Sequence, residues 1–363
     1  MKILVIQDYL RSGGTERQSI LLTRGFAAAG HETTLLTFRP GGVLAPAASG
    51  LNIQSLQPFD LRLDWFAPGL FRHACRNGPE VVLCMGRMAN CYAGGLQERL
   101  PDTAVIATMR TGKPLPRLFR RSLGRVRHVV ANSRDARDAL IARHHVPAGR
   151  ISVIRNSLVF PAAAAPQSAA KLRSNFGATD ATRVMVCVAM FRPEKNQREL
   201  IETVAELPSG IDWQLWLAGD GPARADCEKL VAAKHLAARV KFPGFLRDPS
   251  ALYAAADLAV HASSSESLSN FLIEAQAHGL PAVAFQAQGI GESFVPGETG
   301  WEIARGDREA FRAALVRLMS EPPEVQQHRS TAARAFARAN FDPQRQVAAY
   351  LELFDTLRRP PAP

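Results

Sequence analysis

Arg192 and Lys195 stand three positions apart, just past the apolar run Val184–Ala189. A guanidinium fork can grip two phosphate oxygens, and a lysine adds a compact point charge. Preplaced in a dry cleft, such cations stabilise the negative charge that grows on a departing diphosphate. Taken alone, the same two side chains read better as a solvated pair on a surface loop. Glu266 and Glu274 form a second feature, inside the stretch Ser263–Ala275 that follows the run Leu258–His261. Ser269 or Asn270 can cap a helix there, and Gly279 and Pro281 end it. Glu266 then lies in the loop before the helix and Glu274 lies within it. A carboxylate at Glu274 can accept hydrogen bonds from the two hydroxyls of a ribose, while the preceding loop faces a sugar and its phosphates. The neighbours Phe271, Leu272 and Ile273 imply a buried helix. An unpaired acid is costly in such a place, which argues against a plain surface residue.

A third feature is the pair Gly13-Gly14, between the first apolar run and the helix-like Gln18–Ala28. Glycines at a strand-to-helix turn admit a ligand close to the backbone, and the helix start offers free N–H groups to a phosphate. The spacing is neither Gly-x-Gly-x-x-Gly nor a P-loop, and a simple tight turn would look the same. Gly219-Asp220-Gly221-Pro222 follows another apolar run and reads as structural, a turn that lets the chain pass close to the site.

The elements that must position these residues are short apolar runs alternating with helical stretches. Expected strands are Ile3–Gln7, Thr33–Phe38, Val81–Met85, Ala104–Thr108, His128–Ala131 and Ser152–Ile154. After a break come Val184–Ala189, Trp213–Ala218, Val240–Phe242, Leu258–His261 and Pro281–Phe285. Most are continuously apolar, as in parallel sheets covered by helices on both faces. The alternation predicts an α/β fold of two Rossmann-like, doubly wound domains. Their best boundary lies in Asn156–Arg183, which holds Pro161, Ala162–Ala165, Pro166 and a short helical piece, Lys171–Phe176. The division is residues 1–160, 161–340 and a final amphipathic helix in 341–363, with Val347, Tyr350, Leu351 and Phe354 on one face. In such sheets ligands sit beyond the carboxyl ends of the strands. The features above all follow strand ends.

Composition narrows the function. The chain has 363 residues, 47% hydrophobic and 21% charged, enough for two cores. Only the tail Arg358–Pro363 has a composition that suggests disorder. Cys75, Cys84, Cys91, Cys187 and Cys227 are odd in number and lack a Cys-x-x-Cys pair, which argues against a disulfide framework and a zinc site. His144 and His145 are adjacent and read as a surface pair. Met1-Lys2 runs straight into Ile3–Ile6, too short for a secretory leader, and no apolar run approaches membrane-spanning length. A cytoplasmic protein is expected. The net charge of +11 is concentrated between Arg110 and Arg155, which carry twelve Lys and Arg against two acids.

Together these motifs resemble the retaining glycosyltransferases of family 4 (glycosyl transferases group 1), which have the GT-B fold. The resemblance covers almost the full length. It is carried by Gly13-Gly14-Thr15-Glu16, Val130–Ser133, Val153-Ile154-x-Asn156, Arg192-x-x-Lys195, Gly219–Pro222, Gly244-Phe245 and the Glu-x7-Glu pair. Ala275, Gly279-x-Pro281, Gly289, Glu292 and Gly300 follow in order. It implies two domains facing across a cleft, the first for the acceptor and the second for a nucleotide-sugar, with the final helix packing back on the first. It implies a catalytic set of Arg192, Lys195 and Glu266, and donor contacts from Gly13, Gly14, Asn270, Phe271 and Glu274. It implies no metal and no cofactor beyond a nucleotide-sugar co-substrate, UDP-linked on family frequency. A transferase of glycan or lipid-linked acceptors is expected, as in lipopolysaccharide, capsule or exopolysaccharide synthesis. Two departures stand out. Thr108–Gly112 lacks the histidine many relatives place there, leaving Arg110 as the nearest polar candidate for an acceptor or sugar contact. The hinge reads Asn156-Ser157-Leu158-Val159 where Asn-Gly-x-Asp is usual.

Basic and apolar residues interleave in Lys113–His128, the pattern of an amphipathic helix on an anionic membrane surface, here the inner face of the cytoplasmic membrane. A solvated basic face is an equal reading. Nucleic-acid binding is disfavoured, because Phe119 is the one aromatic in the patch. A nicotinamide oxidoreductase lacks its glycine fingerprint in both halves. A nucleotide-sugar epimerase, a phosphorylase, or a transferase with a small soluble acceptor stays as the alternative.

Overall fold

The computed structural model describes residues 1–160 and 166–358. Pro161–Ala165 of the expected linker and Arg359–Pro363 of the tail lie outside them. The chain divides into two compact units, one of Met1–Ser157 with the segment from Asp342 onward, the other of Leu158–Phe341.

In the first unit, β1 (Lys2–Gln7), α1 (Gly14–Ala28), β2 (Glu32–Thr37), β3 (Ile53–Ser55), α2 (Leu70–Asn77) and β4 (Val81–Cys84) come first. There follow α3 (Arg87–Arg99), β5 (Ala104–Met109), α4 (Arg117–Leu123), β6 (His128–Ala131), α5 (Arg134–His144) and β7 (Ile151–Val153). The second unit runs α6 (Pro166–Asn175), β8 (Arg183–Val188), α7 (Gln197–Val204), β9 (Trp213–Ala218), α8 (Arg224–Ala233), β10 (Val240–Gly244) and α9 (Ser250–Ala254). It continues with β11 (Leu258–His261), α10 (Asn270–Ala277), β12 (Ala282–Phe285), β13 (Gly300–Ile303), α11 (Arg308–Met319) and α12 (Pro323–Asn340). Helix α13 (Pro343–Arg358) returns to the first unit.

The first sheet has seven parallel strands in the order β3-β2-β1-β4-β5-β6-β7, and the second has six in the order β10-β9-β8-β11-β12-β13. Successive residues of a strand face opposite sides. Ile3 and Val5 therefore join a core layer with α1 and α13, while Leu4 and Ile6 join a second layer with α2, α3 and α4. This two-sided burial is why the strands read as unbroken apolar runs. In the first layer Tyr350 and Phe354 of α13 are fully buried, with ring centroids 6.1 and 5.3 Å from that of Phe26.

Two expectations need correction. Strands β3 and β13, both at sheet edges, were not anticipated. The Lys113–His128 segment is also not one amphipathic helix: α4 spans seven residues, bounded by Pro114 and Pro116 before it and Gly124 after it. Its apolar residues Leu115, Phe119, Leu123 and Val126 are buried in the core rather than available to a membrane. Arg117, Leu118, Arg120 and Arg121 are exposed.

Candidate active site

Strand order in the second unit reverses between β8 and its neighbour β11. At such a switch point adjacent connections leave toward opposite faces and open a crevice beyond the strand ends. The loop after β8 carries Arg192 and Lys195, and the loop after β11 carries Glu266. The two loops are stitched together, since Ser264 N donates to the Glu194 carbonyl at 2.8 Å and Ser263 Oγ to the same carbonyl at 3.2 Å.

Side chains converge on one carboxylate oxygen there. Lys195 Nζ lies 2.5 Å from Glu266 Oε1, and His261 Nε2 lies 2.9 Å from the same atom. Burial pushes the Glu266 carboxyl up, but Lys195 and His261 together outweigh it and hold the group well below the ordinary carboxylate range. Burial also pushes His261 down, against the pull of Glu266, and because an ionised carboxylate only accepts, Nε2 is the donor of this bond. His261 Nδ1 is buried with no hydrogen-bond partner. With Oε1 taken twice, Glu266 has its other oxygen to offer. Sequence reasoning passed over His261, whose role depends on a strand-to-loop contact that spacing alone does not reveal.

The Arg192 backbone is held from below by the Gly219–Pro222 turn. Phe191 N donates to the Asp220 carbonyl at 2.9 Å, and Ala223 N to the Phe191 carbonyl at 3.1 Å. Gly219 and Gly221 sit at φ 140° and 146°, where a Cβ would come within 2.0 Å of the Ala189 carbonyl oxygen and 2.4 Å of that of Phe191. The close passage read from this motif is therefore physical. The Arg192 guanidinium is half-buried and makes no hydrogen bond or ion pair among the described residues.

Helix α10 starts at Asn270, capped by Ser269, whose Oγ accepts from Leu272 N at 3.4 Å. Phe271 is a core residue, 6% exposed, with its ring 5.5 Å from His261 and stacked 6.2 Å from Tyr253. Its side chain thus supports the helix start, and little of it can reach a ligand. Glu274 is half-buried, and Tyr253 supplies the partner its setting requires, donating from its hydroxyl to Oε2 at 2.9 Å.

In the first unit, order reverses between β1 and β4. Gly13 caps α1 and Gly14 is its first residue. The Glu16 carboxylate folds over this end, so that a Cβ on Gly13 would lie 2.3 Å from its Oε2. A negative group thus occupies the positive end of the helix. Asp8, just past β1, is 7% exposed and accepts from Met88 N and Ala89 N at the start of α3, at 2.9 and 2.7 Å. Burial lifts its carboxyl to about 6 against the pull of those two N–H groups. Asp8 was also not anticipated. Arg110 turns inward, donating to Asn156 Oδ1 at 2.5 Å and to the Tyr350 hydroxyl at 2.8 Å. Two of its nitrogens brace the first unit, and its buried Nε has no partner. Among the described residues no three His, Cys, Asp or Glu side chains gather as metal ligands, and no helix is long and apolar enough to cross a membrane.

Two family models match, Glycosyltransferase Family 4 over residues 12–158 and Glycosyl transferases group 1 over residues 169–336. Among curated relatives, the chain is 27% identical over 189 residues to the N-acetyl-alpha-D-glucosaminyl L-malate synthase of Bacillus anthracis, covering 52% of this chain and 49% of that one. It is 35% identical over 138 residues to the lipopolysaccharide core biosynthesis glycosyltransferase LpsE of Rhizobium meliloti, covering 38% and 40%. The chain thus spans about half the length, or less, of these relatives. Among solved structures, HepE of Anabaena in complex with UDP superposes with a TM-score of 0.83 at 21% identity, covering 98% of this chain and 100% of that one. Its complex with UDP-glucose gives 0.81 at 22%, covering 97% and 100%.

Proposed function

Because the chain belongs to glycosyltransferase family 4, with the paired parallel-sheet units of the GT-B fold, we propose that it moves a sugar from a UDP-sugar to a hydroxyl of a glycan or lipid-linked acceptor with retention of configuration. The observation that carries this reading is the Lys195–Glu266–His261 cluster at the β8/β11 switch point, beside the capped start of α10 and within one helix of Glu274. Arg192 and Lys195 would neutralise the leaving diphosphate. Glu266 would face the donor sugar through its second oxygen, and Glu274 would take the ribose hydroxyls. The UDP and UDP-glucose complexes of HepE support the choice of donor, and the lipopolysaccharide core relative supports the class of acceptor.

In the reaction we infer, the acceptor oxygen attacks the anomeric carbon from the face the diphosphate leaves. The bond from that carbon to the phosphate oxygen breaks, and the acceptor proton passes to the departing phosphate. The products are a glycoside of unchanged configuration and UDP. An isolated glycosyl ester on the protein would overturn this step. The decisive experiment measures turnover against a panel of UDP-, GDP- and ADP-sugars, with and without EDTA. The expected outcome is UDP-sugar turnover that EDTA leaves unchanged. Lys195→Ala lowers kcat at least 100-fold, and Glu274→Ala raises the donor KM roughly tenfold. Full activity in both variants sinks the assignment.

An anionic membrane surface, met from the cytoplasm, is the inferred place of work. The support differs from an amphipathic helix. Phe59 and Trp65, 65% and 56% exposed, stand with Leu61, Leu63 and Phe66 in the loop before α2. The Tyr92 hydroxyl of α3 donates to the Trp65 carbonyl at 2.5 Å, and α4 packs on the same helix through Ser122 and Cys91. The loop with its exposed apolar side chains and the helix with its exposed arginines thus both pack on α3, and in the reading proposed they act together at the interface. Reversing Arg117, Arg120 and Arg121 to Glu is expected to release the protein from phosphatidylglycerol vesicles.

A further inference from the structure

The second unit holds a cavity of about 610 Å³ at the amino ends of β8, β11 and β12, the opposite edge of the sheet from Lys195 and Glu266. This is ample for a small metabolite. Four guanidiniums line it, those of Arg183, Arg329, Arg334 and Arg338, against two carboxylates, Asp257 and Glu321. Both acids are already engaged. Arg329 Nε and a terminal nitrogen donate to the two Glu321 oxygens at 2.7 and 2.8 Å. Asp257 accepts from Val184 N at 2.7 Å and from Arg173 at 3.4 Å, with Arg183 at 3.9 Å. The positive charge that is left belongs to α12. Arg334 is held by both terminal nitrogens, which donate to Ser330 Oγ and to the His278 carbonyl, each at 2.9 Å, and each keeps one further N–H. Arg338 lies one helical turn on, over the Phe160 ring at 5.9 Å. Burial first, and then the charge of Arg334, push His278 down to about 4, so it adds no charge near neutrality. Tyr253, Leu258, Leu280 and Leu318 add apolar surface to its lining.

Two guanidiniums on successive turns of α12, one of them held in place, and apolar side chains in the same cavity suit a molecule with a doubly charged head and an organic body. The lining also has a second side. Tyr253 lines the cavity, its ring lies 4.7 Å from that of His278, and its hydroxyl holds Glu274. We propose that this cavity is an effector site for a small phosphorylated organic molecule, held by Arg334 and Arg338 and coupled through Tyr253 to the carboxylate that grips the nucleotide. The coupling rests on the donor reading above; the binding does not.

The test uses the full chain and glucose 6-phosphate as probe, titrated calorimetrically at constant ionic strength, with inorganic phosphate alongside. Glucose 6-phosphate is expected to bind saturably and more tightly than phosphate. R334Q/R338Q is expected to weaken it at least tenfold, while R120Q/R121Q, which removes the same charge from α4, leaves it unchanged. If R334Q/R338Q melts early, the R338Q variant alone carries the comparison, with a loss of at least threefold. No saturable binding overturns the site, as does equal weakening in the α4 control. For the coupling, glucose 6-phosphate is expected to change the UDP dissociation constant at least twofold in the wild type, with the reciprocal change when UDP is added first. Tyr253→Phe is expected to abolish that change while still binding the phosphate ester. UDP affinity that ignores the effector overturns the coupling. Failure of UDP to bind at all counts against the donor reading and leaves the cavity standing on its own titration.

Discussion

Asp8 and Glu266 are both buried carboxyls at strand-order reversals, and they titrate in opposite directions for a stated reason. Glu266 has a lysine and a histidine on one oxygen, enough to overcome burial. Asp8 has two backbone N–H groups, which are not enough, and its carboxyl stands at about 6 against an ordinary 3.8. A group raised on folding stabilises the protein fully below its unfolded value, and that contribution is lost as pH rises through the folded value. From 3.8 to about 6, at about 1.4 kcal/mol per unit, the swing approaches 3 kcal/mol. The first unit is therefore expected to gain stability on acidification from about pH 7 to pH 4, and Asp8→Asn to flatten that slope. Urea titrations at several pH values measure both, and parallel slopes in wild type and variant would refute the assignment.

At the scale of elements, the site is a loop held against its neighbours. Gly221→Ala puts a side chain 2.4 Å from the Phe191 carbonyl oxygen at a φ of 146°. Strain there costs on the order of 1–3 kcal/mol, or the Phe191–Arg192 segment moves. A displacement near 1 Å of a charge-positioning group costs about 100-fold in rate. The expected outcome is a kcat at least tenfold lower with a modest fall in melting temperature, while Gly210→Ala, with open space around its Cβ, changes neither. Equal kcat in both variants refutes the argument. The same elements show what a single sequence makes legible. Strands such as β9 and β11 are buried along their whole length, so their apolar runs announce them. Strand β3 is exposed at all three residues, and β13, Gly-Trp-Glu-Ile, is buried only at its glycine. Neither pattern differs from a loop. Arg192, Lys195 and Glu266 lie in loops that follow β8 and β11, and Glu274 in the helix after β11, so their placement is legible from the apolar runs. His261, Tyr253 and Asp8 work through contacts across 5, 21 and some 80 residues, and spacing does not encode those. The bracing role of Arg110 is hidden for the same reason, because its partners Asn156 and Tyr350 lie 46 and 240 residues away.

At the scale of the whole chain, the path crosses between units twice, at Ser157–Leu158 and at Phe341–Asp342, so α13 belongs to a core whose other members precede it by more than 180 residues. Each unit has its own buried layers on both sheet faces, which makes two thermal transitions the natural expectation. Phe354 is fully buried against Phe26 and Tyr350. Its truncation to Ala removes a large core side chain at a cost of about 3–5 kcal/mol. For a unit of this size, each kcal/mol moves the midpoint by roughly 2–4 °C. Calorimetry of Phe354→Ala is therefore expected to lower one transition by roughly 10 °C and leave the other in place. Added UDP should protect the transition that Phe354→Ala leaves untouched, because Lys195, Glu266 and Glu274 all lie in the other unit. A single transition shifted as a whole would mean that the units unfold together, and UDP protection of the Phe354-dependent transition alone would place the nucleotide in the wrong half of the chain.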